Sequence, residues 1–221
     1  MEKQATYSRN ETLLAPERPI RLEPGKREQA AQLLVRAFLE DDAYKFVFPD
    51  REERTRSLGR YWDAVLEYSL ILGQVYTTRD LHGVACWLPS GSFFASLWAV
   101  ARTRFAAYRA MLSFSKEAQG RFVALGRYSE EIKKQFAPTP HLLLGLLGVD
   151  PESQGQGIGT RLLLDGLSIC DAKGLPCYLD TGENNLAFYQ KHGFAIVHSG
   201  RVPDGGPGVW AMLRMPNKGT I

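Results

Sequence analysis

The stretch Val149-Asp150-Pro151-Glu152-Ser153-Gln154-Gly155-Gln156-Gly157-Ile158-Gly159 decides how this chain is read. Before it, His141 to Val149 is a continuous apolar run, fit for a buried central strand. After it, Thr160 to about Lys173 reads as a helix. A strand, a loop and a helix in this order frame an anion site. The first amides of a helix have no intrahelical partner, and the dipole favours negative charge there by about 0.3–1 kcal/mol, up to ~2 when partly buried. Glycines at 155, 157 and 159 let the backbone curl and a phosphate approach with no Cβ in the way. Three spaced glycines alone make no more than a tight turn; the intact frame around them points to a phosphate.

The phosphate ligand can be narrowed by what the loop lacks. A Walker A loop ends in Gly-Lys-Ser/Thr, whereas Gly159 is followed by Thr160 and Arg161. A dinucleotide fold places G-x-G-x-x-G early in a βαβ unit; here the spacing is G-x-G-x-G, late in the chain. The net charge of +3 over 221 residues does not form the dense basic stripe of a nucleic-acid binder. The apolar stretch nearest to a membrane span, Phe93 to Leu112, is broken by Arg102, Arg104 and Arg109. The first ten residues lack the apolar core of a secretory signal, and Cys86, Cys170 and Cys177 show no metal-ligand spacing. A cytoplasmic protein without metal, nucleic-acid or membrane partners is expected.

Outward from the loop, the coarse elements alternate. Residues 1–17 read as a loose tail, and Ile20 to Leu22 as a short strand. Ala30, Leu33, Leu34, Ala37 and Phe38 mark a helix over Lys26 to Glu40; a turn-like acidic stretch, Glu40 to Asp50, leads to a second helix ending near Gly73. Val75 to Arg79 and Gly83 to Leu88 read as a hairpin. Residues 92–136 read as a helical insertion, with eight basic residues against three acidic ones between Arg102 and Lys134. Solvated arginine faces and a substrate-side lid both fit it. Beyond the loop helix come a strand at Cys177 to Leu179, a short helix from about Asn184 to Lys191, and strands at Ala195 to Val197 and Val209 to Met215.

The motif from Val149 to Gly159 resembles the acyl-CoA signature of the GNAT superfamily of N-acetyltransferases, Gln/Arg-x-x-Gly-x-Gly/Ala, met by Gln154, Gly157 and Gly159. Downstream, Asn185 to Phe194 is similar to that superfamily's second motif, a helix ending in Tyr-x-x-x-Gly-Phe. The likeness runs from about Ile20 to Met215 and is nearest to the branch containing puromycin N-acetyltransferase, on Trp87-Leu88-Pro89-Ser90-Gly91 and Leu147-Gly148-Val149-Asp150-Pro151. It implies one acyltransferase domain over 18–217, an α/β (α+β) fold with a mixed, mostly antiparallel sheet flanked by helices. Acetyl-CoA is the implied cosubstrate and a primary amine, of a small molecule, the acceptor. A coenzyme-binding sensor without catalysis and a protein or peptide acetyltransferase are the alternatives; the oligomeric state is left open, a homodimer included.

The resemblance also assigns residues. The central strand would splay from its neighbour and pantetheine would lie in the gap against the backbone of Leu147, Gly148 and Val149. Amides of Gln154, Gly155, Gln156, Gly157, Ile158, Gly159 and Thr160 would surround the pyrophosphate. Tyr189 matches the general acid that protonates the departing thiolate. The glutamate or histidine that the superfamily often supplies from the central strand is replaced by Leu143 and Gly145 at the matching positions. His141, two residues earlier and on the same side of an ideal strand, is one candidate base. Glu40, Asp41 and Asp42, after the first helix, are the rival, as an attractor for a cationic amine. Gly182 stands where the superfamily commonly has an asparagine, so Asn184 or Asn185 would take over that contact with the coenzyme.

Overall fold

A computed structural model describes residues 18–90 and 108–217. The expected tail at 1–17 and the start of the insertion lie outside the described residues. Seven strands form one sheet: β1 (Ile20–Arg21), β2 (Gln74–Thr77), β3 (Gly83–Pro89), β4 (Leu142–Val149), β5 (Cys177–Thr181), β6 (Ala195–Arg201) and β7 (Gly208–Arg214). Their spatial order is β1-β2-β3-β4-β5-β7-β6, and every neighbouring pair is antiparallel except β4 and β5. This is the mixed, mostly antiparallel sheet expected. The single parallel pair requires a crossover, which the loop helix supplies.

Helices cover both faces. On one lie α1 (Arg27–Phe38), α2 (Asp42–Val47), α3 (Arg51–Leu72) and α4 (Lys116–Phe136). There Leu33, Leu34, Leu58 and Leu66 bury against Val84, Cys86 and Leu146, while Ile132 of α4 meets Tyr178 and Ala211. On the other lie α5 (Ile158–Lys173) and α6 (Leu186–Lys191), with Leu162, Leu163 and Leu167 packed on Ala85, Trp87, Leu142 and Leu179. Period-two alternation along β3 and β5 sorts these residues between the faces. The sheet is therefore apolar on both sides, which explains the unbroken hydrophobic run of β4.

Two particulars position the site. α5 approaches β3 closely: a Cβ at Gly166 would fall 2.0 Å from the Trp87 indole. Its far end is held by Arg214, 8% exposed, whose guanidinium donates to both oxygens of Asp171 at 2.8 and 2.9 Å. The stretch Glu40 to Asp50 is not all turn: it contains the six-residue α2, begun where Asp41 Oδ1 accepts from Ala43 N at 2.9 Å. The three cysteines are free and buried, and burial pushes the Cys86 thiol up to about 12.

Candidate active site

β4 and β5 pair at only two positions, Leu142 with Cys177 and Leu143 with Tyr178. Beyond these the strands part, and the β4 edge from Leu144 onward has lost its neighbour. On the other edge, β3 stays paired but with a bulge: Cys86 opposes Leu146 and Trp87 opposes Leu144, so Gly145 is the extra residue. The bulge reverses the facing of the strand. Leu142 and Leu144 pack under α5, whereas Leu146 packs under α1 and α3.

A cavity of about 670 Å³ opens where the strands part. Leu144 to Leu147 form one side, and Asp180 to Asn185 with Tyr189 form the other. Rings from α1 to α4 make its outer wall: Phe38, Tyr44, Tyr61, Trp62 and Phe122. These rings run in contact, with centroids 4.9 Å apart for Phe38–Trp62, 4.8 Å for Tyr61–Trp62 and 5.3 Å for Tyr61–Phe122.

The glycine loop leads from β4 into α5. Asp150 opens it, accepting from Glu152 N at 3.3 Å and from the Arg36 guanidinium of α1. Gln154 Nε2 donates back to Val149 O at 3.3 Å. Ser153 is buried, its Oγ 2.8 Å from Nδ1 of His82. Gly155 and Gly157 have φ of +77° and +75°, left-handed backbone that favours glycine. Gly157 is the N-cap of α5 and offers no side chain to its first turn, so the amides of Ile158, Gly159 and Thr160 keep no intrahelical partner. Ile158 itself is 4% exposed and anchors the helix start over the sheet. These residues fit a pyrophosphate: unpartnered amides at a helix N-terminus, open space around two glycines and no carboxylate capping the turn.

Tyr189 lines the cavity from α6, its ring set between Phe188 and Phe194 at centroid distances of 5.1 and 5.7 Å. The Gly-Phe that follows has a physical task. Gly193, at φ +85°, turns the chain, and Phe194 N donates to Tyr189 O at 3.2 Å. Burial raises the phenol's pKa, so Tyr189 is protonated at neutral pH.

Asp180 faces the same cavity, and the motifs did not reveal it. It lies on β5 two residues after Tyr178, whose phenol donates to Asp180 Oδ1 at 2.6 Å. Burial, the largest influence, lifts this carboxyl to about 6; the Tyr178 hydrogen bond and the charges of Lys133 and His198 pull it down, while Glu130 pushes it up. Strand alternation from Tyr178 puts Asp180 on the cavity face, a signal available had β5 been extended past Leu179.

The other expected residues are placed as follows. His141 is buried at the start of β4, outside the cavity lining, with Nδ1 2.6 Å from Pro138 O and burial lowering its pKa. Glu40 is exposed and paired with Lys45 and Arg51 at 3.6 and 3.5 Å, away from the lining. Asp41 and Asp42 do line the cavity; Asp41 caps α2, and Asp42 lies 3.7 Å from Lys45. Leu147, Asn184 and Asn185 line it too, the asparagines exposed in the turn Glu183–Asn185. Gly148 has its back to α1, where a Cβ would fall 2.6 Å from Leu34. Among the described residues no group of three or more His, Cys, Asp or Glu is placed to hold a metal ion, and no helix is long and apolar enough to cross a membrane.

Comparison with known proteins agrees with this geometry. An uncharacterized N-acetyltransferase of Schizosaccharomyces pombe is 23% identical over 188 residues, 81% of this chain and 74% of its own length. Among solved structures, a histone acetyltransferase-related protein of Corynebacterium glutamicum superimposes with a TM-score of 0.62 at 19% identity, covering 92% of this chain and 98% of that one. Arylalkylamine N-acetyltransferase 2 of Aedes aegypti gives 0.56 at 15% identity, over 90% and 99%. These structural likenesses concern the fold. The family model for the acetyltransferase (GNAT) family matches residues 82–194, just over half the chain, spanning β3, the splayed β4, the glycine loop and the Tyr189 motif; the chain belongs to that family.

Proposed function

We propose that this acetyltransferase moves the acetyl group of acetyl-CoA to the primary amine of a small molecule, with Tyr189 as general acid and Asp180 as the base. The observation that carries the reading is that Tyr189 and the half-buried carboxyl of Asp180 line one cavity where β4 and β5 part, and that β4 runs on from it through the glycine loop to the uncapped N-terminus of α5. Pantetheine takes the place of a strand along the β4 edge at Leu147 and Val149, with its pyrophosphate on the amides from Gln154 to Thr160.

An alkyl ammonium has a pKa of about 10.4, so it must lose a proton before it can attack. Asp180 takes that proton as a carboxylate. The nitrogen lone pair then forms the new bond to the thioester carbon, the C–S bond breaks, and Tyr189 donates its proton to the sulfur. Backbone N–H groups along the parted edge of β4 would donate to the carbonyl oxygen as charge develops there. The phenolate of Tyr189 recovers its proton from the nitrogen's second N–H, through solvent. Net, one proton leaves to water with free CoA and the amide.

The likeness to the puromycin N-acetyltransferase branch places antibiotic amines in the acceptor panel, beside the arylalkylamines and polyamines named for structural relatives in Aedes aegypti and Drosophila melanogaster. Release of the CoA thiol, followed with and without amine, tests the reading. Amine-dependent release is expected, with Tyr189→Phe at least tenfold slower in turnover and little changed in acetyl-CoA affinity. Tight acetyl-CoA binding with no amine-dependent release would mean a coenzyme sensor instead.

A further inference from the structure

The acceptor side of the cavity has a chemistry of its own. Four of its lining side chains are acids, Asp41, Asp42, Asp180 and Glu183, against one base, Arg201. Arg201 Nη1 donates to Gly206 O at 3.0 Å, and Asp41 and Asp42 are engaged with α2's first turn and Lys45. Asp180 is the acid set at the parting of the strands, held by Tyr178.

The same cavity is lined by the rings of Tyr61, Trp62 and Phe122, a surface that continues to Phe38 and Tyr44. Such a surface stacks an aromatic body at centroid spacings of about 4.5–7 Å, by offset or edge contact. An aliphatic polyamine laid along the rings would have to strip water from every further ammonium held there, a costly burial. The remaining lining carboxylate, Glu183, is exposed in the turn after β5 rather than set among the rings. We infer that the acceptor is a primary amine carried on an aromatic body, its ring against Tyr61, Trp62 and Phe122 and its ammonium on Asp180. The inference rests on the acetyl-transfer reading and narrows it to a substrate class.

The test compares phenethylamine with hexylamine and putrescine as acceptors for CoA release. Binding of each to CoA-saturated protein is measured separately by calorimetry. The expected kcat/KM for phenethylamine is at least tenfold above either aliphatic amine. Tyr61→Leu and Phe122→Leu are each expected to shrink that ratio to a few-fold, with the thermal shift by acetyl-CoA retained as a check on folding. Equal or better turnover of the aliphatic amines, or a ratio indifferent to both substitutions, overturns the aromatic acceptor and leaves acetyl transfer standing. If no amine releases CoA, acetyl transfer to small amines fails on its own account. The calorimetry then decides: phenethylamine binding that Tyr61→Leu abolishes keeps the aromatic site, and no such binding removes it.

Discussion

Tyr189 is buried and Asp180 half-buried, and desolvation acts on them in the same direction but with opposite use. A buried phenol keeps its proton and has one to give; a half-buried carboxylate holds a proton more tightly than usual and so accepts one more readily. With Asp180 at about 6, kcat/KM is expected to fall as pH drops below that value, because the protonated acid cannot accept a second proton. The groups facing it are Tyr178 on its own strand, Glu130 and Lys133 on α4, and His198 on β6. Asp180→Asn should remove this acidic limb and lower kcat at least tenfold. Stability moves the other way. The folded state holds the Asp180 proton up to a higher pH than the unfolded chain does, so stability falls as pH rises between the unfolded value near 4 and about 6. The asparagine variant has no charge to bury and is expected to melt at or above the parent's temperature at pH 7. A lower melting point with an intact pH profile would make Asp180 a structural residue.

Elements carry the site through two close approaches, α5 onto β3 and the bulge in β4. Gly166 is the contact point of the first. Alanine normally gains about 1 kcal/mol over glycine in a helix interior, but here its methyl would enter the Trp87 ring. Gly166→Ala is therefore expected to destabilise by about 1–3 kcal/mol, as overpacking does, which denaturant unfolding measures. A stabilised variant would mean that α5 stands further off the sheet. Much at this scale was legible in sequence. The apolar run of β4, the glycines before α5 and the Tyr189 turn each have a local cause: burial on both faces, positive φ, and a chain reversal at Gly193. What was hidden depends on partners distant in the chain. The bulge at Gly145 is a mismatch of register with Cys86 and Trp87, invisible from β4 alone. α2 is six residues long and depends on the Asp41 cap more than on periodicity. Asp180 was passed over because β5 was read as ending at Leu179; His82 was read only as part of a hairpin turn, and its contact with Ser153 spans 71 positions.

Over the whole molecule, the sheet parts where one parallel pair ends, and Asp180 and Tyr189 lie around that opening. The proposed pyrophosphate seat, acid and base come from α5, α6 and β5, and the proposed acceptor wall from α1 to α4. Coenzyme binding should therefore draw on the entire fold. A ligand at about 100 times its Kd adds ~2.7 kcal/mol to a native state that alone binds it, which at this size is roughly 5–10 °C in Tm. The decisive measurement is thermal unfolding with and without excess acetyl-CoA. A rise of that size is predicted. No shift at millimolar acetyl-CoA would contradict the account, leaving the glycine loop as a turn and the gap between β4 and β5 without a coenzyme.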